Sequence, residues 1–156
     1  MSPLPTMNAS GISSGGTDLR TTHHPTCFVC SPGHGLGMSF SLQPDGSVAG
    51  RYTFDRHLEG YKGVVHGGIV AAALDGAMAN WLFIHGHLAV TAELKVRYLH
   101  PVASLVPVTV HARRAEGSGP LFVMTAELLQ HGRRVATATG KFVANAASAK
   151  ITETRP

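Results

Sequence analysis

Met38, Phe40 and Leu42 alternate with Ser39, Ser41 and Gln43, a period of two that predicts a half-buried strand. Pro44-Asp45-Gly46 supplies turn chemistry. The alternation resumes with Val48, Gly50, Tyr52 and Phe54 on one face, which predicts a hairpin, and a loop is expected over 55 to 65. From Gly67 to about His85 the pattern switches, and Ile69, Val70, Leu74, Met78, Trp81, Leu82 and Ile84 interleave with alanines around a single charge, Asp75. Such a helix is apolar nearly all round and needs cover from a curved sheet or a partner subunit. Strand patterns return over 89–100, 105–115, 121–130 and 133–144, separated by Pro101, by 116–120 and by His131-Gly132. Two strands, one helix and four strands, with hairpin-length connections in the second half, predict an α+β fold with an antiparallel sheet.

A chain of 156 residues fits one domain, and 44% hydrophobic against 14% charged residues excludes a largely disordered or collagen-like chain. No repeat of 20 to 50 residues is present. Residues 1–25 are rich in Pro, Gly and Ser and are expected to form a loose tail; 26–145 form the domain and 146–156 a flexible C-terminal tail. The formal charge of +4 suits an anionic ligand, but the basic residues are scattered, with only the pairs Arg113-Arg114 and Arg133-Arg134, so no nucleic-acid-binding arm is expected. The amino terminus lacks a basic patch followed by an apolar stretch, and no apolar run approaches the roughly 20 residues of a spanning helix, so a cytoplasmic protein with no membrane partner is expected.

The chemistry concentrates at Val65-His66-Gly67-Gly68-Ile69, which leads into the apolar helix. Consecutive glycines at a helix start leave its free N–H groups open to a ligand oxygen, and the helix dipole favours negative charge there. Asp75 is the sole ionisable group of the helix, and an unpaired buried carboxylate is costly, so it should face a partner or a cleft with a raised pKa. It lies seven residues beyond Gly68, roughly 10 Å along the axis, so one carbonyl carbon cannot touch both. Two antiparallel central helices about a two-fold axis would bring Asp75 of one subunit toward Gly67-Gly68 of the other. Residue types alone also leave open a reading in which the glycines are packing spacers and Asp75 meets a structural Arg or His.

Over about residues 27 to 144 the sequence resembles the hotdog-fold acyl-CoA thioesterases of the phenylacetic-acid-degradation (PaaI-like) type. The resemblance is carried by Cys27-Phe28-Val29-Cys30, Gly35-Leu36-Gly37, Gly60-Tyr61-Lys62-Gly63-Val64-Val65-His66-Gly67-Gly68, Leu74-Asp75 and Val96-Arg97-Tyr98-Leu99-His100-Pro101-Val102. It implies an antiparallel sheet of five to six strands wrapped around one long helix, and a homodimer, often stacked into a homotetramer, with active sites at the subunit interface. It also implies hydrolysis of an acyl-CoA substrate without metal or organic cofactor. The Gly67 N–H would polarise the thioester carbonyl, Asp75 of the neighbouring subunit would act as general base or nucleophile, and His66 would help position the thioester. Gly68 would contribute to substrate binding and Thr91 would assist near the acid. Some relatives carry Asn where this chain has Gly60, and many an acidic residue where Gly76 stands. The alternatives are a non-catalytic hotdog module that binds acyl groups and a related hydratase or dehydratase.

Other signals are weaker. Cys27 and Cys30 lack a second ligand pair and the strand and helix of a redox motif, so reduced thiols in a loop are expected. Gly11-Ile12-Ser13-Ser14-Gly15 matches a nucleophile elbow without the strand and helix it needs. Gly33, Gly35 and Gly37 lack a dinucleotide-binding context, and turn geometry suffices for them. His85 and His87 suit a helix C-terminus better than a metal. Lys95, Arg97 and His100 either meet coenzyme A phosphates at the cleft mouth or are solvated. Met78, Trp81 and Phe83 are candidates for closing an acyl tunnel or are plain core.

Overall fold

A computed structural model describes residues 14–144, with side chains from residue 19 onward. Helix α1, Ser14–His23, lies inside the segment whose composition predicts a loose tail. Docking decides this: α1 rests on the central helix, and the His24 ring just beyond its end meets Phe83 edge-on at 4.6 Å. Its described side chains, 19–23, are half-buried or exposed, so contact with α2 rather than deep burial supports a short helix of weak propensity. Residues 1–13 and 145–156, with the remainder of both expected tails and most of the elbow-like motif, lie outside the described residues.

Strand β1 covers only Ser41–Leu42, shorter than the alternation from Met38 predicts. The reason is a competing partner, since the Met38 N–H donates to the Val29 carbonyl at 2.7 Å and its side chain is fully buried. Strand β2, Val48–Thr53, pairs with β1 across a turn in which Asp45 Oδ1 accepts from the Ser47 N–H and hydroxyl. The expected loop over 55–65 instead contains a 3-10 turn, Arg56–Leu58, and a small hairpin of β3, Glu59–Tyr61, and β4, Val64–Val65. That hairpin turns at Gly63, whose φ of 78° suits glycine.

The central helix α2 spans Gly67–Ile84, close to the predicted bounds. Four strands follow as expected: β5 (Val90–Tyr98), β6 (Pro107–Glu116), β7 (Leu121–Gln130) and β8 (Arg133–Val143). They join an antiparallel sheet in the order β1-β2-β6-β7-β8-β5, the six-stranded hotdog arrangement around one helix. Val70, Leu74, Met78 and Leu82 of α2 pack with Val108, Val110, Met124, Leu128 and Phe142 of the sheet, all fully buried. With 18 residues and mean hydropathy 1.4, α2 would suffice by length and composition to cross a membrane, contrary to the expectation that no run comes near; it is the core helix of this sheet. Met78, Trp81 and Phe83 are buried within the protomer, and Trp81 Nε1–H donates to the Gly46 carbonyl at 2.9 Å, so they form core.

The topology places β5 at the edge of the sheet, bonded only to β8. Its apolar side chains Val90, Leu94 and Tyr98 are 46%, 36% and 52% exposed, so this edge is uncovered in the single chain.

Candidate active site

The chain entering α2 is clamped on both sides. Val65 N–H donates to the Val102 carbonyl at 2.9 Å, and His66 N–H to the Leu58 carbonyl at 2.8 Å. His66 is the N-cap, with φ −58° and ψ 133°, and its carbonyl accepts from Ile69 and Val70. Its ring fills the usual role of a capping Ser or Asp, because Nδ1 accepts from the Gly68 N–H at 2.9 Å. The Gly67 N–H has no partner among the described residues, so one donor at the positive end of α2 faces outward.

The two glycines have separate physical reasons. A Cβ at Gly68 would stand 3.1 Å from His66 Nδ1 and disturb the cap, whereas one at Gly67 would meet the Tyr98 hydroxyl at 3.4 Å. Tyr98 donates to the Gly67 carbonyl at 2.7 Å. It was not among the residues predicted from sequence; its phenol at the end of a strand carries no local signal that it folds back onto a helix start. A cleft of about 470 Å³ opens beside His66 and Gly67, lined mainly by Tyr61, Val64, Val70, Tyr98, Leu99 and Pro101.

Asp75 sits midway along α2, half-buried, where its Oδ1 accepts from the Thr91 hydroxyl at 2.9 Å. Burial pushes its carboxyl above the ordinary range; the Thr91 hydrogen bond pulls the other way, and negative charge at Cys27 adds a smaller upward push. Eight residues of helix separate Asp75 from Gly67, about 12 Å of rise, and Asp75 does not line the cleft at Gly67. A single protomer therefore brings His66, Gly67, Gly68 and Tyr98 together in one place and Asp75 with Thr91 in another.

Of the two positions where the sequence departs from the pattern it resembles, Gly76 has a steric reason and Gly60 has none. A Cβ on Gly76 would lie 2.3 Å from Val29 Cγ1, so the loop carrying Cys27 and Cys30 occupies the space of an acidic neighbour of Asp75. Gly60 runs against His66, with its virtual Cβ 3.4 Å from His66 Cδ2.

Lys95 and Arg97 point to the face of β5 opposite Val96 and Tyr98, and with His111, Arg113 and Arg134 they line an open basin on the outer side of the sheet. They do not line the cleft at Gly67. His100 receives a hydrogen bond from Arg133 at 2.6 Å. His85 caps α2, its Nδ1 2.8 Å from the Trp81 carbonyl and its ring stacked on Trp81. Cys27 and Cys30 are free thiols in the loop against α2. Hydrogen bonds from Cys30 and His24 hold the Cys27 thiol well below its usual range, while the same pairing and burial hold Cys30 above it. Among the described residues no group of three or more His, Cys, Asp or Glu side chains could hold a metal ion.

Residues 62–137, from the hairpin ahead of α2 into β8, match the model of the thioesterase superfamily, and the six-stranded antiparallel sheet around one long helix is the hotdog fold. Among solved structures it is similar to a putative thioesterase, a phenylacetic acid degradation-related protein of Ralstonia eutropha JMP134. That structure is 23% identical with a TM-score of 0.69, covering 83% of this chain and 99% of that one. A hypothetical thioesterase from Streptococcus pneumoniae TIGR4, solved with coenzyme A, is 20% identical with a TM-score of 0.65, covering 69% and 85%. A further thioesterase superfamily protein is 26% identical with a TM-score of 0.67 over 70% of this chain, which spans 57% of the length of that relative. No curated protein gives a significant match.

Proposed function

We propose that the protein hydrolyses an acyl-CoA thioester to a free acid and coenzyme A, at two equivalent sites of a homodimer. The observation that carries this reading is the pairing of an unpartnered Gly67 N–H at the start of α2 with a lone, half-buried Asp75 on the same helix. The exposed edge of β5 supports the dimer, because this nine-residue strand is bonded to β8 on one side and its free edge forms a template for a second copy. A two-fold axis along that edge lets Asp75 of one subunit meet Gly67 of the other.

In this mechanism Asp75 takes a proton from water as the water oxygen adds to the thioester carbonyl carbon. The oxygen of that carbonyl gains negative charge and receives the Gly67 N–H, a donor worth about 3 kcal/mol of barrier. Collapse breaks the C–S bond, and the departing thiolate takes up the proton. Thr91 orients the carboxylate, and His66 and Gly68 hold the thioester. Lys95 and Arg97, across the edge strand, receive the phosphates of the coenzyme. Burial of Asp75 strengthens it as a base, and the chemistry requires no metal or organic cofactor. The free thiols of Cys27 and Cys30 fit a cytoplasmic enzyme.

The test is release of free thiol from short, medium, long and aryl acyl-CoA thioesters by the parent, Asp75→Asn and Asp75→Ala. Cleavage by the parent with both variants inactive supports the reading. Tight binding of acyl-CoA with no cleavage replaces it with a non-catalytic binding module, for which the bare flank of His66 at Gly60 is the favouring observation.

A further inference from the structure

The first peptide of α2 joins two side chains from distant parts of the chain. At one end its carbonyl, that of Gly67, accepts from the Tyr98 hydroxyl at 2.7 Å. At the other end its N–H, that of Gly68, donates to His66 Nδ1 at 2.9 Å. A ring nitrogen that accepts from an N–H carries no proton, so the neutral imidazole holds its proton on Nε2. We propose that Tyr98 is a positioning residue that acts through the Gly67–Gly68 peptide to fix His66 as an Nε2–H donor aimed at the thioester. The inference rests on the hydrolase reading for its consequence but not for its geometry.

Three features favour this arrangement. The peptide lies between two glycines, so no Cβ on either side restrains its plane, and the grip at both ends substitutes for that restraint. Hydrogen bonds in a chain polarise one another by about 10–30% per bond, so donation by Tyr98 makes the Gly68 N–H a better donor to the ring. The ring is also open on the side that matters. His66 is exposed, and the chain passing its Cδ2 is Gly60, which has no side chain to cover the neighbouring Nε2. His66 and Gly67 border the same cleft, so the Nε2–H and the Gly67 N–H are both offered to a thioester bound there.

The experiment uses the full chain and two readouts. Proton–nitrogen correlation spectra of the imidazoles, with His66 assigned by difference from His66→Gln, should show Nε2 protonated and Nδ1 bare in the parent. Tyr98→Phe keeps the ring beside Gly67 and removes only the hydroxyl. It should shift the His66 nitrogens toward a mixture of tautomers and lower kcat about tenfold with KM within twofold. A parent His66 protonated on Nδ1 overturns the proposal, and that measurement does not depend on any variant folding. Unchanged spectra and unchanged kcat in Tyr98→Phe overturn it as well. A parent that cleaves no thioester, yet shows the Nε2–H tautomer and its sensitivity to Tyr98→Phe, removes the hydrolase reading and supports the relay.

Discussion

Replacing Gly67 by proline deletes one hydrogen-bond donor and little else. Proline is well accommodated at the first position of a helix, where the missing N–H would be free of intrahelical partners. Here that N–H has no partner among the described residues, so no internal hydrogen bond is lost. The preceding residue must be extended, and His66 already is, with φ −58° and ψ 133°. A Cβ at position 67 would touch the Tyr98 ring and hydroxyl at 3.4–3.5 Å, ordinary contact. Gly67→Pro should therefore fold with stability within about 0.5 kcal/mol of the parent. If the N–H is the oxyanion donor, kcat should fall by about 10²–10³, or roughly 2.7–4 kcal/mol of barrier. The assay is steady-state thiol release at saturating acyl-CoA alongside thermal unfolding. A folded variant with kcat within threefold of the parent would refute the role of this amide. A Tm drop above about 5 °C would refute the backbone argument instead.

Three further outcomes are expected. Mixing Gly67→Pro with Asp75→Asn under conditions of subunit exchange should restore about a quarter of parental activity, because half the dimers are hybrids with one intact site of two; no recovery would mean that both groups act from one subunit. Burial raises the carboxyl of Asp75, so its contribution to stability is complete below the unfolded value of about 3.9 and is lost as pH rises through the folded one. Asp75→Asn should thus gain on the parent between acid and pH 8, by about 1.4 kcal/mol for each unit separating the two values, and parallel urea-unfolding curves at both pH values would contradict this. Gly76→Ala forces a methyl to within 2.3 Å of Val29 Cγ1 and should cost about 1–3 kcal/mol. Adding Val29→Ala should recover part of that loss in thermal unfolding, and a double variant no better than the single one would place the strain elsewhere.

Sequence order and periodicity determined the element types, the apolar central helix and the isolation of Asp75, because these depend on local alternation and on the cost of a charge among apolar neighbours. The diglycine after His66 was legible for a similar reason, since a helix start without side chains is a local feature. Long-range packing decided the rest. The helix over Ser14–His23 exists because it docks on α2, and Met38 leaves the strand pattern because its N–H finds Val29. No spacing could show that β5 pairs with β8, and that pairing sends Lys95 and Arg97 to one face and Tyr98 back to Gly67. The hydrogen bonds of Tyr98 to Gly67 and of Thr91 to Asp75 span 31 and 16 residues, separations at which only the folded sheet decides which groups meet.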